Sequence, residues 1–96
     1  WLYRVFPSFQ VVCANGAPIF CASGNGGAAV ESPANVPGTA AVGGSDHMDR
    51  RVSYSSFGPD LDVVAPTRGG YAGIWTTDVQ GTNAGYNVVH GWRLFT

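Results

Sequence analysis

Over the first fifteen positions apolar residues recur at close to helical spacing: Trp1, Val5, Phe9 and Val12, with Leu2, Phe6 and Cys13 beside them. The spacing predicts a helix. Pro7 falls inside it, so the stretch reads either as a kinked helix or as a short second helix starting near Pro7, with Asn15-Gly16 as the stop. Beyond this point the pattern changes to short apolar runs between breakers. Pro18–Ala22 reads as a buried strand, 23–37 as a long loop and Thr39–Gly43 as a second strand, followed by a polar turn, GSDHMDRR. Val52–Ser56 and Leu61–Ala65 read as further extended segments, closed by Gly58-Pro59 and Pro66, and Ile74–Thr77 as one more strand. From Asp78 the chain reads as a loop rich in Gly and Asn that ends in GWRLFT. A helix followed by several short buried strands predicts a piece of an α/β sheet.

Composition narrows this further. The chain is 45% apolar and only 11% charged, against roughly 25% charged in an average soluble domain. So little charge in 96 residues suggests a segment of a larger fold's interior, since a small free-standing domain exposes more surface. The lack of an initiator Met and of a basic-then-apolar leader predicts a chain clipped at its front. All five basic residues are Arg and the net charge is −1, which provides neither a basic groove for nucleic acid nor a cationic membrane face. No apolar run approaches the roughly 18 residues that a bilayer span requires. Cys13 and Cys21 match neither a C-x-x-C pair nor a zinc spacing, so buried free thiols are expected, with a disulfide left open.

The stretch Cys21–Ala29, CASGNGGAA, carries the most pointed chemistry. Gly24, Gly26 and Ala29 fit G-x-G-x-x-A, a dinucleotide-phosphate fingerprint. That fingerprint needs a helix after the turn, because the helix N-terminus holds the pyrophosphate. Pro33 and Pro37 stand where its second and third turns would lie. Asp46 and Asp49 follow at about the distance of a ribose acid, but in a hydrophilic turn, so a dinucleotide-binding fragment is the remote reading. Other candidates are weaker. Asp60 and Asp62 share a strand face as an acid/base pair would. Asp46, His47 and Asp49 offer ligand atoms without a wider set, and Ser55 and Ser56 lack a nucleophile elbow.

Four pieces occurring in order resemble the subtilase family of serine peptidases. They are APIFCASGN, SPANVPGTAAVGGSD, RVSYSSFGPDLDVVAP and GIWTT, together covering roughly residues 10–80. They are similar to the family's A-[AS]-G-N strand end, its Y-P-A…P…V-I-A-V-G-A-x-D stretch, its S-[FY]-S-[SN]-[FY]-G…D-[VI]-x-A-P-G stretch and its I-x-S-T strand. ASGNGG also resembles the kexin-like branch, while the downstream text looks more like bacterial subtilases. The resemblance implies an α/β fold, a fragment of the three-layer subtilisin-like architecture with a mostly parallel sheet. Residues 1–96 would be a partial peptidase domain truncated at both ends.

The resemblance also implies roles. Asn25 would be the side-chain donor of the oxyanion hole, against the bland alternative of an αL turn between glycines. Ala22, Ser23 and Gly24 would wall the pocket for the side chain before the scissile bond. Glu31 would lie near its floor, where a carboxylate favours Arg or Lys, or else would be an exposed loop residue. Ser32 replaces the family's usual Tyr, and Thr67 stands where the family has Gly.

The family's motifs for its catalytic Asp, His and Ser (D-[ST]-G, H-G-T and G-T-S-x-A-x-P) do not occur in the chain. His47 and His90 have neither the context nor the position of the catalytic His. GTNAG at 81–85 would place Asn83 at the nucleophile, but no A-x-P follows. The expectation is a nucleophile motif just beyond Thr96, hence a fragment of a serine endopeptidase acting on peptides or proteins and itself inactive. The alternative is a non-catalytic subtilase-like binding or scaffold domain. No cofactor is expected; the resemblance leaves calcium to the intact fold, with no site identified here. It also implies a secreted, extracellular protein, and the oligomeric state stays open.

Overall fold

A computed structural model describes residues 2–67, 74–77 and 92–95. Helix α1 spans Leu2–Ala14 and runs through Pro7 as one element. Pro7 is the sixth of its thirteen residues, so the helix gives up the hydrogen bond that an N–H there would have made to the Tyr3 carbonyl. The stop is a Schellman cap. Gly16, at φ 85°, donates its N–H to the Cys13 carbonyl at 3.0 Å, and Ala17 donates to that of Val12 at 3.3 Å. Val5, Phe6, Phe9 and Cys13 are half-buried, so the inward face follows the expected stripe, except that Cys13 replaces Val12 at its end.

Three parallel strands follow: β1 (Ile19–Ala22), β2 (Thr39–Ser45) and β3 (Val63–Pro66), in the order β1-β2-β3. Cys21 pairs with Ala41, and Gly43 with Val64. A separate antiparallel pair joins β4 (Ile74–Thr77) to β5 (Trp92–Phe95). The elements expected at 18–22, 39–43, 61–65 and 74–77 are therefore strands, with ends shifted by up to two residues. Strand β5 is an addition to the expected pattern.

The segment Val52–Ser56 corrects the sequence reading, because it is a turn and not a strand. Its alternation of Val, Ser, Tyr and Ser imitates a strand, but the polar groups are spent on the neighbouring backbone. Ser55 Oγ accepts the Gly44 N–H at 2.9 Å, and Arg51 Nη1 donates to the Ser55 carbonyl at 2.6 Å. Single bridges, Ser45 to Arg51 and Ala29 to Phe57, replace a ladder.

The small residues of β2 let other elements approach closely. A Cβ on Gly44 would lie 2.6 Å from Thr67 Cγ2, and one on Gly43 would lie 3.1 Å from both Leu61 Cδ1 and Ser55 Oγ. The buried cluster is Val30, Ala34 and Ala41, with Cys21 and Leu61 packed on it. Asp62, one of the candidate acids, accepts the Ala41 N–H at 2.8 Å and so helps hold β2 in place. Both thiols are unpaired and half-buried, less enclosed than expected. Cys13 Sγ donates to the Gly38 carbonyl at 3.0 Å, tying α1 to the turn before β2.

Candidate functional site

Strand β1 ends at Ala22, and the chain runs on into a loop pinned from both sides. Ser23 donates its N–H to the Val42 carbonyl at 2.9 Å, and its carbonyl accepts the Glu31 N–H at 2.9 Å. The Gly24 carbonyl accepts the Ser56 N–H at 3.0 Å, and Gly27 donates to the Tyr54 carbonyl at 2.8 Å. Ser23 Oγ adds a bond to the Ser56 carbonyl at 3.3 Å. The backbone of 23–27 is thus fixed by hydrogen bonds more than by apolar packing.

The glycines permit this close approach. Gly24 sits at φ 111°, and a Cβ there would lie 2.8 Å from Glu31 Cδ and 2.9 Å from Ser56 Oγ. A Cβ on Gly26 would lie 2.9 Å from Glu31 Oε1. No helix follows the loop, since residues 32–38 form turns, so the arrangement that a phosphate cradle requires is missing there.

Asn25 is exposed, and its side-chain amide makes no hydrogen bond among the described residues. It does not take the left-handed conformation. Among the described residues, Asp49, at φ 58°, is the one non-glycine residue that does. An αL-turn requirement therefore does not account for this asparagine. It presents a free N–H donor from a backbone held in place on both sides.

A pocket of about 180 Å³ opens at the C-terminal ends of the three parallel strands, and Ala22, Ser23, Gly24 and Asn25 all line it. Ligands of open parallel sheets bind at this edge. Of the four, Ala22 and Asn25 are exposed and Gly24 is half-buried, while Ser23 is 2% exposed and acts as an anchor. Tyr54 and Thr67 complete the far side, with Tyr54 Oη and Thr67 Oγ1 3.1 Å apart in a hydrogen bond. Glu31 is exposed and lies outside this lining, with its carboxylate set against Gly24 and Gly26.

The weaker candidates are placed elsewhere. Asp46 clasps its own turn, accepting the N–H groups of Met48 and Arg50 at 2.8 and 3.0 Å and pairing with the Arg50 guanidinium at 3.0 Å. Its carboxyl is held below the usual carboxylate range, chiefly by the Arg50 backbone N–H. His47, Asp49 and Asp60 are exposed. Asn83 and His90 lie outside the described residues.

Sequence reasoning missed three residues of this region. Tyr54 reaches the pocket from a segment read as a strand and Thr67 from just beyond Pro66, noted only as a departure from the family's Gly; nothing local marks either as lining a pocket. Ser56 is fully buried, and its hydroxyl has no hydrogen-bond partner among the described residues. That is a tertiary property, invisible in the motif that contains it.

The model of the subtilase family, peptidase S8, matches residues 9–91. Subtilisin BL of Lederbergia lenta is 36% identical over 72 residues, covering 71% of this chain and 27% of that protein. Subtilisin amylosacchariticus of Bacillus subtilis subsp. amylosacchariticus is 37% identical over 78 residues, covering 76% and 19%. The chain thus spans about a quarter or less of the length of these relatives. Among solved structures, a protease of Pseudoalteromonas arctica superposes with a TM-score of 0.71 at 23% identity, over 94% of this chain and 29% of that one. The psychrophilic subtilisin-like protease of Pseudoalteromonas sp. AS-11 gives 0.67 at 19% identity, over 77% and 16%. These two likenesses establish the fold, an α/β fragment of the subtilisin-like architecture. On the family match and the geometry together, this chain belongs to the subtilase family.

Proposed function

We propose that this chain is part of the catalytic domain of a serine endopeptidase and supplies its oxyanion donor, Asn25. Peptide hydrolysis passes through a tetrahedral intermediate whose former carbonyl oxygen carries negative charge. A donor fixed in advance stabilises that oxygen more than the ground-state carbonyl and costs no reorganisation when the charge forms. The observation that carries the reading is Asn25 itself. Its amide is exposed and unbonded, on a backbone pinned at the C-terminal edge of a parallel sheet.

Ala22, Ser23 and Gly24 form one wall of the pocket for the side chain before the scissile bond. Ser23 acts through its buried anchor to Ser56, and Gly24 through the absence of a side chain. This substrate pocket is not the 180 Å³ pocket at the sheet edge, which Glu31 does not line; the Glu31 carboxylate, set against Gly24 and Gly26, gives it a preference for Arg or Lys. Substrates are peptides or proteins, outside the cell like those of the secreted peptidases this family resembles, and the step needs no cofactor at these residues. The 96-residue chain alone hydrolyses nothing, since nucleophile and base are not among its residues.

The test is hydrolysis of a peptide amide by the intact protein and by this chain alone. Turnover by the intact protein, abolished by a serine-directed sulfonyl fluoride, with none from the chain, is expected. An intact protein without turnover overturns the proposal in favour of a binding or scaffold domain.

A further inference from the structure

We infer that Ser56 is a positioning residue for Glu31, holding its carboxylate in place when a cationic substrate side chain enters the pocket. The inference rests on the reading of Glu31 as the pocket's acidic floor and adds a residue to it. Ser56 is 0% exposed, and its Oγ is the one buried side-chain polar atom without a hydrogen bond among the described residues. Native proteins rarely leave such a group unpaired, so each instance calls for an explanation.

A partner stands across the gap at Gly24. The point where a Gly24 Cβ would stand lies 2.9 Å from Ser56 Oγ, 3.0 Å from Glu31 Oε1 and 2.8 Å from Glu31 Cδ. Two oxygens of complementary character, a hydroxyl that donates and a carboxylate that accepts, therefore converge on one gap kept open by a glycine. The backbone holds the two residues in fixed relation to that gap. Glu31 donates its N–H to the Ser23 carbonyl, and Ser56 donates its own to that of Gly24. The neighbouring Ser55 hydroxyl is already engaged with Gly44 N–H and the Ser56 carbonyl, so it does not compete.

The Glu31 side chain is exposed. A guanidinium or ammonium group entering the pocket displaces water from the carboxylate, and a buried hydroxyl donor then becomes worth more to it. In that state the Ser56 O–H donates to the Glu31 carboxylate and keeps it against Gly24. Ser56 does not touch the substrate. Its effect is confined to substrates that use the Glu31 charge.

The experiment measures kcat/KM of the intact protein on peptides differing only in Arg or Leu before the scissile bond. The variants are Glu31→Gln, Ser56→Ala and the double mutant, with Ser56→Cys as a near-isosteric second variant should Ser56→Ala fail to fold. The expected results are an Arg/Leu ratio several-fold lower in Ser56→Ala, a smaller loss in Ser56→Cys, KM for Arg carrying most of the change, and no further loss when Ser56→Ala is added to Glu31→Gln. If either Ser56 variant lowers Arg and Leu cleavage equally, or leaves the ratio unchanged while Glu31→Gln lowers it, the inference about Ser56 is overturned and the Glu31 reading stands. A ratio unmoved by Glu31→Gln overturns both.

Discussion

The C-terminal edge of the three-stranded sheet and its faces are organised by different forces. At the edge, Ser23, Gly24, Gly27 and Ser56 are tied by backbone hydrogen bonds of 2.8 to 3.0 Å, and glycines allow side chains to reach the backbone. On the faces, large apolar groups are left open among the described residues: Phe20 is 67% exposed, Val63 49% and Val64 53%. The buried cluster behind them is small, mainly Val30, Ala34 and Ala41. Directional bonds and close backbone approach, more than apolar mass, therefore set the geometry around Asn25. Apolar burial is non-directional and could not aim an amide to within the few tenths of an ångström that catalysis needs.

If this distinction holds, substitutions at the edge act on rate or specificity, and those at its glycines act on folding. The largest effect is expected at Asn25. In the intact protein Asn25→Ala should lower kcat/KM by about 10²–10³, the size of loss typical of an oxyanion donor, with an unchanged unfolding midpoint. A fold-destabilising effect of similar size would instead make Asn25 part of the edge's scaffold.

Next comes Gly24→Ala. Its φ of 111° and the 2.8 Å approach of Glu31 Cδ both oppose a side chain, and the cost expected is about 2 kcal/mol in denaturant unfolding. Gly58→Ala is the control. It shares a positive φ, 129°, but no atom lies within 4 Å of its Cβ position, so it should lose less.

Glu31→Gln should lower the ratio of cleavage after Arg to cleavage after Leu by about tenfold, the low end for a hydrogen bond to a charged group. A ratio unchanged in side-by-side assays would return Glu31 to the role of an exposed loop residue.

The smallest effect lies away from the edge, at Asp46. Its depressed pKa stabilises the fold above the ordinary carboxylate pKa, and that contribution is lost as pH falls through the folded-state value. Asp46→Asn should therefore be slightly less stable than the parent chain near neutrality and equal to it in strong acid, as followed by unfolding midpoints across pH.

The same comparison explains what could be read from the sequence. Strands β1, β2 and β3 were legible because short apolar runs stand between Pro and Gly breakers, as in Pro18–Ala22 and Leu61–Ala65. The helix stop at Asn15-Gly16 was legible because its chemistry is local. Val52–Ser56 misled because alternation cannot reveal that Ser55 and Arg51 bond to backbone across the turn. Strand β5 was not anticipated because WRLF is short and its partner, Ile74–Thr77, lies far back along the chain. At the site, the order of four segments had singled out residues 22–25, which line the pocket at the sheet edge. Ser56 was not, since being without a partner depends on every neighbour that folding brings near.

The most direct test of the central claim is the single-turnover acylation rate of Asn25→Ala against the parent enzyme at saturating substrate. The oxyanion role predicts acylation slower by about 10²-fold or more with substrate affinity essentially unchanged, because the donor acts only once charge has formed. An acylation rate equal to that of the parent, or a loss confined to substrate affinity, would contradict it.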